Sequence, residues 1–199
     1  MNLVFDLGNV LVRWDPIAIV RSVIDGPGAV RLAEHLFAHP DWVSVDRGTL
    51  TLEQAAERAI ERTDVDDVII HAAFAAVAPS LQPIPQSVAL LDRLIAQGHT
   101  LYALSNMGHV SADYLQRQAS FWPKFKDVLI SARVGLVKPE PAIFELMLSQ
   151  FGLAADECLF IDDSLDNVQA AQALGIDAIH FIDASQCRDE LARRGLLIE

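Results

Sequence analysis

Hydrophobic and polar positions follow two different periods along this chain. The first apolar run, Leu3-Val4-Phe5, stops at a carboxylate, Asp6, and leads into Leu7-Gly8-Asn9. A run of that length bounded by Gly-Asn reads as a buried strand of a parallel sheet. The period then becomes helical. Asp15 followed by Pro16 is a helix start, because the carboxylate can cap free N–H groups and proline suits the first helical position. Ile17, Val20 and Ile24 fall on one face, and Asp25-Gly26-Pro27-Gly28 ends the segment. A second helical pattern covers residues 29–38 and stops before Pro40. Asp46-Arg47-Gly48 reads as a turn. Thr51 with Gln54 has capping-box spacing and opens a helix through residue 62, and another follows at 65–77. No strand-like alternation interrupts residues 15–78, so this block predicts a helical module inserted directly after the first strand.

The texture changes at Pro79, Pro83 and Pro85, which mark a connector. A helix at 86–97 stops at Gly98. Strands and helices then alternate. Strands are predicted at 100–104, 127–131, 158–161 and 176–182, and helices at 141–151, 165–174 and 185–194. This alternation predicts an α/β fold with a doubly wound parallel sheet. A hydrophobic content of 52% supports a sizeable core and argues against disorder, and 199 residues suit one large domain or a domain with an insertion.

Charge narrows the partners. The formal net charge is −12 and no Lys/Arg cluster is visible, which argues against nucleic acid and against anionic membranes. A small anionic substrate stays compatible, because it responds to local charge. Cys158 and Cys187 show neither metal-type spacing nor a disulfide framework, and Cys158 lies in an apolar run that predicts a buried thiol. The start of the chain has no signal-peptide pattern, and the longest apolar stretch, 68–78, is too short for a membrane helix. The expected setting is soluble, reducing and cytoplasmic.

The strand ends carry the candidate chemistry. Asp6 alone reads as well as a turn residue as a functional carboxylate. Ser105-Asn106 beside Gly108, just past a strand, offers donors to an anion, although taken alone the stretch reads more readily as an ordinary turn before a helix. Lys138 stands in Val137-Lys138-Pro139-Glu140-Pro141, where two prolines restrain the backbone around it; most lysines are simply solvated. Asp162-Asp163 is the strongest local signal. Adjacent acids after a buried strand repel each other unless a cation is present, and Mg²⁺ prefers carboxylate oxygens. A polar helix cap is the competing reading. Along one sheet edge these groups would supply a nucleophile, anion donors, a cation and a metal-binding pair, an inventory suited to displacement at phosphorus. Mg²⁺ would bridge Asp6 and a phosphate oxygen, Lys138 would balance charge, and Asp6 would form an aspartyl-phosphate that water cleaves.

Taken in order, Asp6, Ser105, Lys138 and Asp162/Asp163 resemble the motifs of the haloacid dehalogenase-like hydrolase superfamily, over nearly the whole chain. The resemblance implies a Rossmann-like core from residues 1–14 and 81–199, with a C1-type all-helical cap at 15–80. Phe5-Asp6-Leu7-Gly8-Asn9-Val10, Leu104-Ser105-Asn106 and Phe121-Trp122-Pro123 are similar to bacterial sugar-phosphate phosphatases of the α-D-glucose-1-phosphate phosphatase type. The resemblance further implies Mg²⁺ held by Asp6, the Gly8 carbonyl, Asp163 and, through water, Asp162. Phosphate would be held by Ser105, Asn106 and Lys138. Caps of this type reach the site near Asp46-Arg47-Gly48, so Arg47 is a candidate substrate contact beside the reading as a solvated turn. The expected partner is a small phosphate ester, with monomer and homodimer both open.

One position departs from the pattern. Most phosphatases of this superfamily carry a second Asp two residues after the nucleophile, as general acid and base; here it is Gly8. Asp15, Asp46 and His109 are the candidate replacements. The same absence leaves open a metal-free 2-haloacid dehalogenase using Asp6, and a binding protein that keeps the fold without turnover.

Overall fold

A computed structural model of the chain describes residues 1–198. It begins with β1 (Asn2–Phe5). Helices α1 (Pro16–Arg21), α2 (Gly28–Phe37), α3 (Pro40–Asp46), α4 (Leu52–Arg62) and α5 (Asp67–Ser80) come before any further strand. Then α6 (Pro85–Ala96), β2 (Thr100–Ser105), α7 (His109–Gln118), β3 (Asp127–Ile130), α8 (Ser131–Val134), α9 (Pro141–Phe151), β4 (Cys158–Asp162), α10 (Leu165–Ala173), β5 (Asp177–His180) and α11 (Ala184–Arg193) complete the fold.

The sheet has the order β3-β2-β1-β4-β5 with every neighbouring pair parallel. β1 is central, as the requirement that every motif reach Asp6 demands. Successive side chains of β1 point to opposite faces. Leu3 and Phe5 pack with Leu91 and Leu94 of α6, Leu115 of α7 and Leu191 of α11. Val4 packs on the other face with Ile143 and Phe144 of α9 and Val168 of α10. Helices on both faces explain why the strands read as continuous apolar runs. Both cysteines are buried and free. No helix among the described residues is long and apolar enough to cross a membrane.

The helical insertion has its own core, built from residues such as Ile19, Leu36, Phe37, Ala59, Ile70 and Phe74. The Asp15 carboxylate accepts from the Ala18 N–H at 2.9 Å and starts α1. The capping box at Thr51 and Gln54 forms in both directions, at 3.1 and 3.0 Å. At its base the insertion is closed: the Arg13 N–H donates to the Gln82 carbonyl at 2.9 Å and the Ile84 N–H to that of Leu11 at 2.8 Å. Val12 and Pro83 face each other between them as an antiparallel bridge.

Several boundaries differ from expectation. α3 fills a stretch read only as the approach to a turn; His39 caps it, and Asp46 is its last residue rather than the first of a turn. α7 was expected only as a helix after the Ser105–Gly108 turn and given no bounds, because His109–Gln118 is polar and its first residue follows a glycine with no side-chain cap. α5 runs on through Pro79, which lies in its last turn, where one missing N–H costs little. β5 is shorter than the apolar run that predicted it.

Candidate active site

Asp6 follows the last residue of β1, and its N–H continues the ladder to the Ile161 carbonyl at 2.9 Å. Its place at the carboxyl edge, where the strand order reverses, is the ligand crevice of such sheets. The side chain is 7% exposed. Lys138, on the loop between α8 and α9, is 4% exposed and reaches beneath it. Its Nζ lies 2.9 Å from Asp6 Oδ1 and donates to Asp162 Oδ2 at 2.6 Å and to the Leu104 carbonyl at 3.0 Å. The approach to Asp6 Oδ1 is an ion pair off the hydrogen-bond direction, so that buried oxygen has no well-directed donor.

Neighbouring residues hold this lysine in place. Asn106 Oδ1 accepts from the Lys138 N–H at 2.8 Å, and its Nδ2 donates to the Lys138 carbonyl at 2.9 Å. Asn106 was expected to bind an anion; its side chain instead fixes the lysine backbone, although the residue borders the cavity. Ser105 is buried at the end of β2 and is not part of the cavity wall. Asp162 is fully buried and saturated: besides Lys138 it accepts from the Ser164 N–H at 2.8 Å and Asn167 Nδ2 at 3.0 Å. Asp163 is only partly buried and accepts from Asn9 Nδ2 at 3.1 Å. The two adjacent acids thus divide their work, one anchoring the lysine and one facing the open side.

Above these groups lies a cavity of about 280 Å³, bordered by Asp6, Gly8, Asn9 and Asp163 from the core and by Trp42 and Asp46 from the insertion. A neighbouring hollow of about 490 Å³ shares Asn9 and Trp14 but contains none of Asp6, Asp162 or Asp163, so the chemistry belongs to the smaller space. Burial pushes the Asp6 carboxyl up to about 6; Lys138 opposes that rise, and Asp162 and Asp163 reinforce it. Burial works against the Lys138 charge, but Asp6 and Asp162 outweigh it and hold its pKa above the ordinary value. Asp163 is also raised, chiefly by burial. Burial carries Asp46 up to about 7, with Asp6 adding to the rise and the Gly108 N–H opposing it.

Asp6, Asp162 and Asp163 offer oxygens within 4.8 Å of one another. Three carboxylates face one ammonium, and an Asp6 oxygen lacks a directed donor. That surplus of negative charge fits a hard divalent cation.

Arg47 is not brought to this cavity. It forms a two-pronged ion pair with Glu140 at 2.5 and 3.0 Å and donates to the Gly135 carbonyl at 3.3 Å. Of the candidate replacement acids, Asp15 caps α1 and borders the neighbouring hollow, His109 opens α7 outside the cavity wall, and Asp46 borders the cavity. Two residues that sequence reasoning passed over also matter. Asn9 takes a left-handed backbone, φ +52°, a conformation that Asn tolerates better than most residues. From there it holds Asp163 through Nδ2 and the Trp14 N–H through Oδ1 at 3.0 Å. Its signal was the Gly-Asn pair, read as a strand boundary and as part of the Phe5–Val10 resemblance but given no role of its own. Asn167 secures Asp162 from the first turn of α10.

A parallel sheet with a carboxylate after its central strand, a buried lysine and an acid pair defines a Rossmann-like hydrolase. The chain belongs to the haloacid dehalogenase-like hydrolase family, whose profile matches residues 2–175. It is 28% identical to a sesquiterpene phosphatase of Aspergillus oryzae, over 91% of this chain and 89% of that one. It is similar to a haloacid dehalogenase-family enzyme of Bacteroides thetaiotaomicron solved with magnesium and inorganic phosphate, with a TM-score of 0.73, 25% identity and coverage of 94% and 98%. The L-2-haloacid dehalogenase of Xanthobacter autotrophicus shares the fold, with a TM-score of 0.69, 16% identity and coverage of 99% and 84%.

Proposed function

We propose that this chain is a Mg²⁺-dependent phosphomonoesterase that hydrolyses a small phosphorylated metabolite in the cytoplasm through an aspartyl-phosphate on Asp6. One observation carries the reading: Lys138 Nζ sits between Asp6 and Asp162, while Asp163 faces the same cavity as Asp6. Asp6, the Gly8 carbonyl and Asp163 would hold the ion; Asp162, expected to reach it through water, is taken up by Lys138, Ser164 and Asn167 and adds its charge from behind. Bound there, Mg²⁺ would supply Lewis-acid neutralisation of the phosphoryl oxygens. Asp6 is the nucleophile. Lys138 offsets charge between it and the phosphoryl group and Asn106 aims Lys138, while Ser105 is kept as the phosphate contact that the sequence resemblance implies. Residues 15–80 act as the cap that screens the site.

The cavity wall bears on the alcohol released. Trp14 and Trp42 stack with centroids 5.2 Å apart and planes 13° from parallel, and Leu81 and Met107 border the same space. An aromatic wall suits a sugar ring, the substrate class expected from the sequence resemblance. It equally suits an isoprenoid chain, and the likeness to a sesquiterpene phosphatase gives that reading weight. Phosphate release from glucose 1-phosphate against farnesyl phosphate separates the two.

The reaction class is tested by phosphate release from p-nitrophenyl phosphate with Mg²⁺ and with EDTA, beside halide release from 2-chloropropionate. Mg²⁺-dependent phosphate release supports the reading, and metal-independent halide release replaces it with a dehalogenase. Silence in both assays, identical to that of Asp6→Asn, leaves a binding protein.

A further inference from the structure

We propose that the carboxyl group of Asp46, carried into the cavity by the helical insertion, protonates the departing ester oxygen and then takes a proton from the water that cleaves the aspartyl-phosphate. The inference rests on the phosphatase reading above. Expulsion of an alkoxide needs a proton, and Gly8 has none to give. Among the described residues, the carboxylates bordering the cavity are Asp6, Asp46 and Asp163. Asp6 is spent as nucleophile, and Asp163 lies beside it at the strand ends, held by Asn9. Asp46 alone enters from the insertion, so the ester can lie between it and the nucleophile.

Its place is fixed at several points. The Ser131 hydroxyl donates to the Asp46 carbonyl and accepts from the Met107 N–H at 2.8 Å. Gly48, at φ +78°, lies so close to α8 that an added Cβ would come 2.3 Å from the Ala132 carbonyl oxygen. On the other side, a Cβ on Gly108 would meet Val45 Cγ1 at 2.8 Å. Backbone packed this tightly leaves the end of α3 little freedom, which suits a group that must meet a reacting atom within hydrogen-bond reach.

The charge environment agrees. The charged groups acting on Asp46 are Asp6, which disfavours its anion, and Lys138, which favours it; Arg47 beside it is engaged by Glu140. A carboxyl raised to about 7 holds its proton at neutral pH and gives it up readily. The protons balance over the cycle. Asp6 bonds to phosphorus as the ester P–O bond breaks, and the Asp46 proton leaves with the alcohol. The Asp46 carboxylate then accepts a proton from water as its oxygen displaces Asp6 from phosphorus, releasing phosphate and restoring the acid.

The test compares ethyl phosphate, whose leaving group needs a proton, with p-nitrophenyl phosphate, whose leaving group does not. Asp46→Asn should lower kcat/KM for ethyl phosphate by about 10²-fold or more and that for p-nitrophenyl phosphate far less, because kcat/KM reports the step in which the alcohol leaves. The kcat value falls on either ester where the shared hydrolysis of the aspartyl-phosphate limits it. Native kcat/KM for ethyl phosphate should fall as pH rises through about 7, and that limb should vanish for the aryl ester and for Asp46→Asn. Equal losses of kcat/KM on both esters, or a limb that persists in Asp46→Asn, overturn the proposal. If Asp46→Asn does not fold, the native kcat/KM profiles decide: a limb on ethyl phosphate alone supports Asp46, and the same profile on both esters rejects it. Failure of the phosphatase reading looks different, since neither ester would then release phosphate from the native enzyme, and Asp46 would fall with that reading.

Discussion

Arg47 and Glu140 join the helical insertion to the catalytic core through a two-pronged ion pair, 93 residues apart in sequence. The sequence pointed to Arg47 as a substrate contact, and the structure gives it a partner on the loop that also carries Lys138. If the pair acts as a latch, Arg47→Ala and Glu140→Ala should raise KM alike, and the double variant should add little to either. A contact with substrate would make Arg47→Ala alone severe. Both side chains are partly exposed, at 30% and 39%, so screening limits the stability cost of either change to about 1 kcal/mol or less. Steady-state kinetics and urea melts of the three variants decide.

Lys138→Met should abolish turnover and also weaken the fold. It leaves Asp162 fully buried without its cation, and removing one partner of a buried pair costs about 3–5 kcal/mol. Adding Asp162→Asn should recover part of that stability and none of the activity. Urea midpoints read the first effect and phosphate release the second.

Mg²⁺ should raise the melting temperature of the native protein, because an ion that binds only the folded state stabilises it by about 2.7 kcal/mol at a hundredfold excess over Kd. Asp163→Asn should remove most of that rise while leaving the metal-free protein no less stable, since a repelling carboxylate has gone. Melting curves with and without Mg²⁺ check this without any substrate. An unchanged rise in Asp163→Asn would move the ion elsewhere.

Gly8→Asp should restore an acid where this chain lacks one. Gly8 has no left-handed backbone angle, and an added Cβ would meet nothing closer than Asp6 Oδ2 at 4.0 Å, so the backbone there accepts a Cβ without strain. In the Asp46→Asn background, Gly8→Asp should recover about 10-fold or more of the lost turnover of ethyl phosphate, within the range general acids contribute. No recovery would mean that a carboxyl at position 8 cannot reach the leaving oxygen.

Legibility followed the range of the interactions involved. The strands were readable because burial on both faces writes itself as unbroken apolar runs, as in Leu159-Phe160-Ile161. The starts of α1 and α4 were readable because a cap is a bond across a few residues. α7 left little trace, having neither a side-chain cap nor a strong apolar stripe. In the site, Asp6, Lys138 and the acid pair were legible as polar residues placed at strand ends. The roles of Asn106 and Arg47 were not, because each is set by a partner far away in sequence, Lys138 and Glu140. Asp46 could be named as a candidate, but only the folded insertion separates it from Asp15 and His109.

The closed base of the insertion has a further consequence. Leu11 to Arg13 and Gln82 to Ile84 run side by side, joined by the bonds between Arg13 and Gln82 and between Ile84 and Leu11. To the sheet, everything between them is the tip of a hairpin. Closing a loop becomes only slowly more costly as the loop lengthens. The core can therefore host a long, a short or an unrelated segment at this port without changing its own register. The whole insertion is joined to the sheet as one unit, apart from the strand ends that carry Asp6 and the acid pair.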